Sequence, residues 1–448
     1  MEEKCSDICV LQYIKVFNCF QVGVSYEIYY IFVGCNDLNL FKAKMKKISL
    51  QILSLILLFP LLLSSCSKHI SPSDSDIEQT ILIYMNADNN LSYYAYKDLE
   101  EMDLGYVPDY FEPGGSGRVL LVYLDTSSEV PVLLRYYRDE FGVLNSEKLM
   151  VYEEQDSSDP EVMNKVLQYA NNLFPSENNG LVLWSHGTGW TPVDFYNNPS
   201  GAAAHRLSRE DDPYADYVKS FGYDQGSEMD IIEMAEALPL KYRFILFDAC
   251  LMGGVEVAYQ LKDKCDYFIA SAAEILAGGF PYDQILDPLY NDVSEKGLET
   301  VCDRYFYYYY YRNEGATVSL VKTSELEGVA EICENIFADE RVFIQSLDMD
   351  NMQGFFRLGR HYFYDLGDLI SNLASASEYP EFEDAMSKAV LATYATPDYN
   401  INGRLQFEIN KNSGLSTYIP NPENEYLDTY YQTLEWNKRV KMIVPSEE

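Results

Sequence analysis

A histidine and a cysteine each follow an apolar run in this 448-residue chain. The first run, residues 181–185, leads to His186, and the second, residues 243–248, leads to Cys250, 64 positions further on. A thiolate attacks an acyl carbon when a base lies beside it and the sulfur can reach the substrate. Two neighbouring strands that end on these residues would meet that need. The spacing therefore predicts a nucleophilic cysteine with His186 as its base.

Small residues lie next to both positions. Gly187 lets the backbone approach a substrate closely, and its N–H could point at a developing oxyanion. Residues 251–254 lead from Cys250 into a predicted helix, whose amino-terminal dipole would favour the thiolate. Taken singly, Cys250 also fits an inert buried cysteine and His186 a histidine satisfied in the core. Their equivalent places after two apolar runs favour the chemical interpretation.

Apolar runs alternate with helical stretches through most of the chain, which indicates an α/β fold with a mainly parallel sheet and helices on both faces. The predicted strands are 80–85, 119–124, 132–137, 181–185, 243–248, 267–271, 316–321 and 413–420, and the predicted helices are 91–102, 160–174, 229–238 and 365–374. In such sheets, catalytic and binding residues usually lie at the carboxyl ends of the strands. Residues 79–300 are interpreted as the catalytic domain, and residues 301–448 as an α+β subdomain packed on it.

The amino-terminal region resembles that of a secreted lipoprotein. Lys46 and Lys47 precede an apolar run of about 16 residues, fewer than the roughly 20 needed to span a bilayer, and Leu-Ser-Ser-Cys ends it at Cys66. We interpret residues 45–65 as a signal peptide, Cys66 as the lipidated residue and residues 66–78 as a flexible tether. An extracytoplasmic, lipid-anchored place at the outer membrane or cell surface is expected. Residues 1–44 would then reflect a mis-assigned start and pack poorly.

Composition narrows the choice of partners. The formal charge is −37, with 70 acidic against 33 basic residues, so phosphate backbones are repelled and nucleic acid is excluded as a partner, whereas cationic peptides are attracted. Hydrophobic residues make up 47% of the chain, enough for a packed core. The other cysteines of the body, Cys265, Cys302 and Cys333, are too scattered for a disulfide framework. We expect a monomer with peptide or protein substrates.

Several short motifs together resemble the clostripain family of cysteine peptidases, within the clan of caspases, legumains and gingipains. The resemblance spans roughly residues 80–420. It rests on Tyr-Met-Asn-Ala-Asp-Asn-Asn-Leu at 84–91, His-Gly-Thr-Gly-Trp at 186–190, Phe-Gly-Tyr-Asp at 221–224, Asp-Ala-Cys-Leu-Met at 248–252, Glu-Val-Ala-Tyr at 256–259, Ala-Ser at 270–271, Phe-Pro-Tyr at 280–282 and Gly-Leu-Ser at 414–416. The histidine and cysteine motifs are specific as a pair and weak singly.

The resemblance implies a caspase-like α/β/α sandwich and a dyad of His186 and Cys250. The N–H groups of Gly187 and Cys250 would form the oxyanion hole. Cleavage after Arg or Lys is implied, with Asp248 as a carboxylate of the S1 pocket; from the residues alone, Asp248 also fits a structural carboxylate at a strand end. Some relatives need calcium, but no EF-hand-like loop is visible here, so the sequence indicates no metal site and no other cofactor.

Two loops bear on specificity and activation. Relatives carry acidic residues in the loop that corresponds to 270–282, whereas this chain has alanine at 272 and 273 and Gly278, so its pocket has fewer carboxylates. Self-cleavage between the dyad motifs is implied, and Arg206, Arg209 and Lys219 in the polar loop 190–219 are the candidates. Two alternatives stay open: a degenerate surface lipoprotein that binds peptide or glycan, and a different thiol enzyme such as a transpeptidase or amidase.

Overall fold

A nine-stranded β-sheet runs through the part of the chain that the computed structural model describes, namely residues 77–111, 117–193, 218–219, 227–344, 346–355, 362–420 and 425–444. These residues belong to one compact unit. The strands are β1 (Ile77–Ala87), β2 (Gly117–Thr126), β3 (Glu129–Arg138), β4 (Leu144–Val151), β5 (Asn179–Trp184), β6 (Val218–Lys219), β7 (Tyr242–Asp248), β8 (Cys265–Ala270), β9 (Ile275–Leu276), β10 (Thr317–Lys322), β11 (Tyr364–Asp365), β12 (Val390–Ala395), β13 (Asp398–Ile401), β14 (Arg404–Glu408) and β15 (Ser416–Thr417).

Helices flank this sheet. They are α1 (Ser92–Leu104), α2 (Pro160–Leu173), α3 (Ile231–Ala237), α4 (Val255–Gln260), α5 (Tyr282–Asn291), α6 (Glu295–Tyr310), α7 (Leu326–Ile344), α8 (Leu366–Leu373), α9 (Glu378–Ala389), α10 (Glu425–Tyr431) and α11 (Glu435–Val440). Local sequence sets several of their ends. Asp159 caps α2 through its side chain, and Asp230 forms a capping box with Glu233 at the start of α3.

The main sheet has the strand order β12-β10-β8-β7-β5-β1-β2-β3-β4. Its five central strands, β8, β7, β5, β1 and β2, are parallel, and two antiparallel strands extend it at each side. The central strands are buried along nearly their whole length, as continuous apolar runs predict. The predicted α/β fold with a mainly parallel centre is therefore confirmed.

The pairing register of β5 and β7 determines where His186 and Cys250 leave the sheet. β5 and β7 are neighbours in parallel pairing, and Trp184 lies opposite Asp248 at their carboxyl ends. His186 and Cys250 each lie two residues beyond that pair. Both therefore emerge at the same edge of the sheet, where the sequence placed them.

In the carboxyl-terminal half, the structure bears on two predictions: the strand at 413–420 and the domain division at residue 301. The strand predicted over 413–420 is reduced to β15, because Gly414 has a φ of +101° and the Ser413 N–H bonds the Asp365 side chain instead of a neighbouring strand. Strands β10 and β12 lie beyond residue 301 but belong to the main sheet. The division into two domains at residue 301 stays a prediction.

Several predicted features lie outside the described residues. These are residues 1–44, the signal peptide at 45–65, Cys66 with the tether up to residue 76, and the candidate processing residues Arg206 and Arg209. Among the described helices, none combines the length and the apolar character that crossing a membrane requires.

Candidate active site

His186 lies in the turn after β5 and is fully buried. Its Nε2 is 2.7 Å from Oδ1 of Asn90, in the loop between β1 and α1. Because an amide oxygen can only accept, this contact places the hydrogen of the neutral imidazole on Nε2 and the lone pair on Nδ1. Asn90 lies in a motif that supported the resemblance, but nothing in the sequence indicated its contact with the histidine.

Cys250 lies in the turn after β7, and its sulfur contacts β9. The N–H of Ile275 donates to Sγ at 3.1 Å, and the thiol lies 3.5 Å from the carbonyl oxygen of the same residue. Leu251, the next residue, has a φ of +61°, a left-handed conformation that is uncommon for a leucine. Strained turns of this kind concentrate at functional sites.

The helix that follows Cys250 begins where the sequence predicts it. It is α4, and its first residue is Val255, with Gly254 as the N-cap. Residues 251–254 connect Cys250 to this helix. The helix itself is confirmed, and the effect of its dipole on the thiolate stays a prediction.

The two turns pack directly against each other at Gly187. A Cβ atom at this position would lie 2.2 Å from the carbonyl oxygen and 2.8 Å from the amide nitrogen of Cys250, closer than atoms can approach. Only glycine fits there without a shift of backbone. The structure therefore brings the two sequence-predicted residues together through backbone contact of their turns.

All four cysteines in the described residues are buried thiols, Cys250 included. Desolvation raises the pKa of Cys265, Cys302 and Cys333 well above that of an ordinary thiol. A thiol that resists ionisation is a poor nucleophile. Cys250 is thus the cysteine whose position, at a strand end beside a histidine, suits chemistry.

Asp248 is fully buried at the end of β7. Its Oδ2 accepts hydrogen bonds from the N–H of Phe280 and from the hydroxyl of Tyr282, both at 3.2 Å. This carboxylate therefore holds the loop that runs from β9 to α5. Backbone N–H contact is what the structural interpretation of Asp248 requires, and its role in an S1 pocket stays a prediction.

A second short strand pair lies beside the cysteine. β6 pairs antiparallel with β9, with Lys219 opposite Ile275 and Val218 opposite Leu276. Ile275 is the residue whose backbone contacts the sulfur of Cys250. The backbone of one candidate processing residue, Lys219, therefore lies next to the strand that borders the thiol.

Residues from the carboxyl-terminal region support both turns. Trp190, four residues after the histidine, packs against the rings of Tyr418 and Tyr431 at centroid distances of 4.6 and 5.1 Å. The hydroxyl of Tyr431 donates to Oε1 of Glu256, in the helix after the cysteine, at 2.7 Å. Glu256 is completely buried, and desolvation raises its pKa. We call Trp190, Glu256, Tyr418 and Tyr431 the aromatic cluster; sequence analysis did not find it.

Within the described ranges, one group of acidic residues could supply oxygen ligands to a cation. Its members are Asp88, Asp125 and Glu154, which offer carboxylate oxygens that all lie within 4.8 Å of one another. Hard oxygen ligands of this kind suit calcium. The hydroxyl of Ser157 also donates to Asp125. The sequence indicated no metal site, and this group was not among its predictions.

Comparison with known proteins agrees with this geometry. A model of the clostripain family matches residues 83–442. Clostripain from Hathewaya histolytica is 29% identical in an alignment 238 residues long, which covers 46% of this chain and only 41% of that relative. An inactive zymogen C11 protease from Parabacteroides distasonis is 31% identical with a TM-score of 0.69, over 83% of this chain and 99% of its own. A secreted C11 cysteine protease from Bacteroides thetaiotaomicron, solved in complex with an irreversible peptide inhibitor, is 27% identical with a TM-score of 0.68, over 82% and 99% of the two chains.

The similarity covers the sheet and both turns of the site. The family match begins inside β1 and ends beyond α11, so it includes every strand of the main sheet. The shared architecture confirms the caspase-like α/β/α fold expected from the sequence. The chain belongs to the clostripain family of cysteine peptidases.

Proposed function

We propose that this protein is a cysteine endopeptidase in which Cys250 is the nucleophile and His186 the general base and acid. The observation that carries the proposal is the packing of Gly187 on the backbone of Cys250, which joins the turns of the two residues. A dyad needs its nucleophile and base on separate elements that are held in register, and adjacent parallel strands provide that arrangement.

The reaction follows from the chemistry of the two groups. His186 takes the thiol proton, and the sulfur of Cys250 attacks the carbonyl carbon of the scissile bond, so that the C=O π electrons move onto the oxygen. When this intermediate collapses, the C–N bond breaks and the amine leaves with the proton held by His186. Water, deprotonated by His186, then hydrolyses the thioester and regenerates the thiol.

Two further contributions belong to this proposal. Asn90 holds the Nε2 hydrogen of His186, which leaves Nδ1 as the atom that receives the proton. The N–H groups of Gly187 and Cys250 stabilise the negative oxygen of the intermediate. Donors already fixed in place for that oxygen typically contribute about 10²–10³-fold to the rate.

We propose cleavage after Arg or Lys, with Asp248 as one carboxylate that attracts the basic side chain. The acidity of the chain supports this preference, because a charge of −37 draws cationic peptides towards the protein. Fluorogenic peptides that differ only in the P1 residue provide the test, with Cys250→Ala as the inactive control. If the reduced and processed protein cleaves none of them, the peptidase proposal is wrong and the degenerate binding protein becomes the better account.

Self-processing is proposed at Lys219 in preference to Arg206 and Arg209. The support is the pairing of β6 with β9, since a peptide substrate bound next to Cys250 would extend the same strand in the same antiparallel way. Lys219 thus already has its backbone in the neighbourhood of the sulfur.

Gel analysis and amino-terminal sequencing test this site. The wild type should be cut after Lys219, whereas Cys250→Ala and Lys219→Gln should stay intact at that bond. Arg206→Gln and Arg209→Gln are the matched controls and should be processed at the wild-type rate. A cut in Lys219→Gln at the wild-type position and rate would contradict the assignment.

The lipid anchor at Cys66 and the extracytoplasmic place at the cell surface are kept as proposals, supported by the Leu-Ser-Ser-Cys sequence alone. Membrane fractionation of cells that express the wild type or Cys66→Ser tests them. We expect the wild type in the membrane fraction and a smaller share of Cys66→Ser there. Equal shares of the two proteins in the membrane fraction would contradict the anchor.

A further inference from the structure

The loop 275–282 connects the sulfur of Cys250 with two carboxylates. The N–H of its first residue contacts that sulfur at 3.1 Å. At its other end, the hydroxyl of Tyr282 donates to Oδ2 of Asp248 at 3.2 Å, and the N–H of Tyr282 donates to Oε2 of Glu101 at 3.1 Å. One short loop therefore leads from the nucleophile to Asp248 and then to Glu101.

The position of Glu101 is fixed by its helix. It lies on α1, whose end packs tightly against the start of α5: a Cβ atom on Gly105 would lie 2.9 Å from Cα of Asp283. Glu101 is only partly buried, so solvent reaches it. Within the described part of the chain it forms no ion pair. The nearby Arg312 instead stacks its guanidinium on Tyr308, 3.5 Å from the ring centroid.

Gly278 shows where a side chain of the loop would point. A Cβ atom at this position would lie 3.7 Å from the hydroxyl of Tyr308 and 3.6 Å from that of Tyr309, which is ordinary contact with room to spare. Tyr308 lies close enough to Glu101 that burial and then the charge of Glu101 raise its pKa. Tyr308 is therefore a common neighbour of Glu101 and of the space that an acidic residue at 278 would have entered.

The carboxylates around Glu101 favour a cation in the space beside it. Desolvation first, and then the negative charges of Asp283 and Asp248, raise the pKa of Glu101 to about 7, against the opposing effects of the Tyr282 N–H and Arg312. A bound guanidinium would favour the ionised form and pull the pKa down. Binding of a basic ligand would therefore shift Glu101 to its fully ionised form.

We propose that Glu101 is a specificity-determining residue that acts with Asp248 on the basic P1 side chain of the substrate. It supplies, from helix α1, the second carboxylate that Gly278 does not provide. The inference rests on the proposed cleavage after Arg or Lys and adds a residue to that pocket. Two separated carboxylates suit the forked donors of a guanidinium, and each charge-assisted pair adds to the selection.

A purely structural role for Glu101 must be distinguished from this one. α5 begins at Tyr282 with Pro281 as its N-cap and no side-chain cap, so Glu101 also satisfies the first N–H of that helix. Glu101→Gln keeps a carbonyl oxygen for this N–H and removes the charge. It therefore separates helix capping from cation recognition.

The experiment compares two peptides with the same sequence, one with arginine at P1 and one with citrulline, its neutral isostere. We expect the preference for arginine, measured as the ratio of kcat/KM values, to fall about tenfold in Glu101→Gln. Glu100→Gln is the matched control, because Glu100 is exposed on the same helix and pairs with Lys97 at 2.7 Å. It should keep the wild-type ratio.

The dependence on pH gives an independent readout. The arginine preference of the wild type should rise as the pH increases from about 6 to about 8, because Glu101 ionises through its pKa of about 7 and only the ionised form attracts the guanidinium. In Glu101→Gln this rise should vanish. The other charged and titratable groups that face Glu101, namely Asp248, Asp283, Arg312 and Tyr308, are present in both proteins.

A gain of function completes the test. Gly278→Asp, introduced into Glu101→Gln, should restore the arginine preference, since its side chain enters the same space. An unchanged ratio and an unchanged pH slope in Glu101→Gln would overturn the inference and leave Glu101 as a helix cap. If instead the wild type itself does not prefer arginine to citrulline, the proposed specificity fails, whatever the variants do.

Discussion

Gly187 lies where the turn after the histidine touches the turn that carries the cysteine. Gly187→Ala would place a methyl group 2.2 Å from the carbonyl oxygen of Cys250, so one turn must move. A displacement of about 1 Å in such a site can lower the rate on the order of 10²-fold, and overpacking typically costs about 1–3 kcal/mol of stability. We expect both effects, measured as kcat/KM and as the free energy of unfolding.

Gly328→Ala is the control for that change. Gly328 lies in α7, and a Cβ atom there meets nothing within 4 Å. Because alanine favours a helix over glycine by up to about 1 kcal/mol, this variant should be as active as the wild type and at least as stable. Full activity of Gly187→Ala would show that the two turns need not be in contact.

In the proposed dyad, the contact with Asn90 would determine which nitrogen of His186 acts as the base. Asn90→Ala should lower kcat on the order of 10²-fold, because general base catalysis contributes about 10²–10⁴-fold and depends on the orientation of the ring. Asn90→Asp places a negative charge 2.7 Å from Nε2, which favours the imidazolium. The acidic limb of its pH–rate profile should therefore shift to higher pH than that of the wild type.

Asn89→Asp is the matched control for the charge. Oδ1 of Asn89 accepts the N–H of Leu91, a bond that an aspartate retains. Its acidic limb should stay close to that of the wild type. Equal shifts in the two variants would assign the effect to general electrostatics instead of the hydrogen bond.

Sequence analysis found His186 and Cys250 because each follows a strand-like run, a pattern that is visible locally. It missed the contacts of Asn90 and Glu101. Asn90 is 96 positions from His186, and Glu101 is 181 positions from Tyr282, so only the folded chain brings them together. Neither residue lies in a run whose periodicity indicates a partner.

At the scale of elements, the aromatic cluster ties the short helix α10 to both turns of the site. Tyr431→Phe removes the hydroxyl that donates to the buried carboxyl of Glu256 at 2.7 Å while the ring still packs on Trp190. A lost buried hydrogen bond of this kind costs about 1–3 kcal/mol. We expect a lower free energy of unfolding and a fall in kcat of roughly tenfold, with little change in KM, since the dyad moves and the substrate pocket does not.

Tyr426→Phe is the control within the same helix, because that tyrosine is exposed on its surface. Stability and kcat should equal those of the wild type. If Tyr431→Phe is less stable but keeps its kcat, the cluster stabilises the fold without positioning the dyad.

The elements themselves were predictable to different degrees. β1, β5 and β7 read as continuous apolar runs because both of their faces are buried. β4, at one edge of the sheet, is mostly exposed and mixes charged and apolar residues, so its sequence resembles a loop. β15 has two residues, and its place is set by pairing with β11, which no local pattern encodes.

For the molecule as a whole, the formal charge of −37 should make its kinetics depend on salt. The Debye length falls from about 10 Å at 0.1 M to about 3 Å at 1 M salt, and steering of a cationic peptide weakens accordingly. We expect kcat/KM for a peptide with several lysines outside P1 to fall about tenfold over this range. A peptide of equal length with serines in place of those lysines is the control; an equal fall for both would indicate a specific salt effect on the enzyme.

The pairing of β6 with β9 gives this chain an internal competitor. A strand joined to the same molecule faces its partner at an effective concentration in the millimolar range. A peptide that pairs with β9 in the same way, present at micromolar concentration, loses that competition as long as the chain is intact. The proposed cut after Lys219 would remove one of the two covalent connections of β6, and we then expect a lower substrate concentration to suffice for binding beside β9.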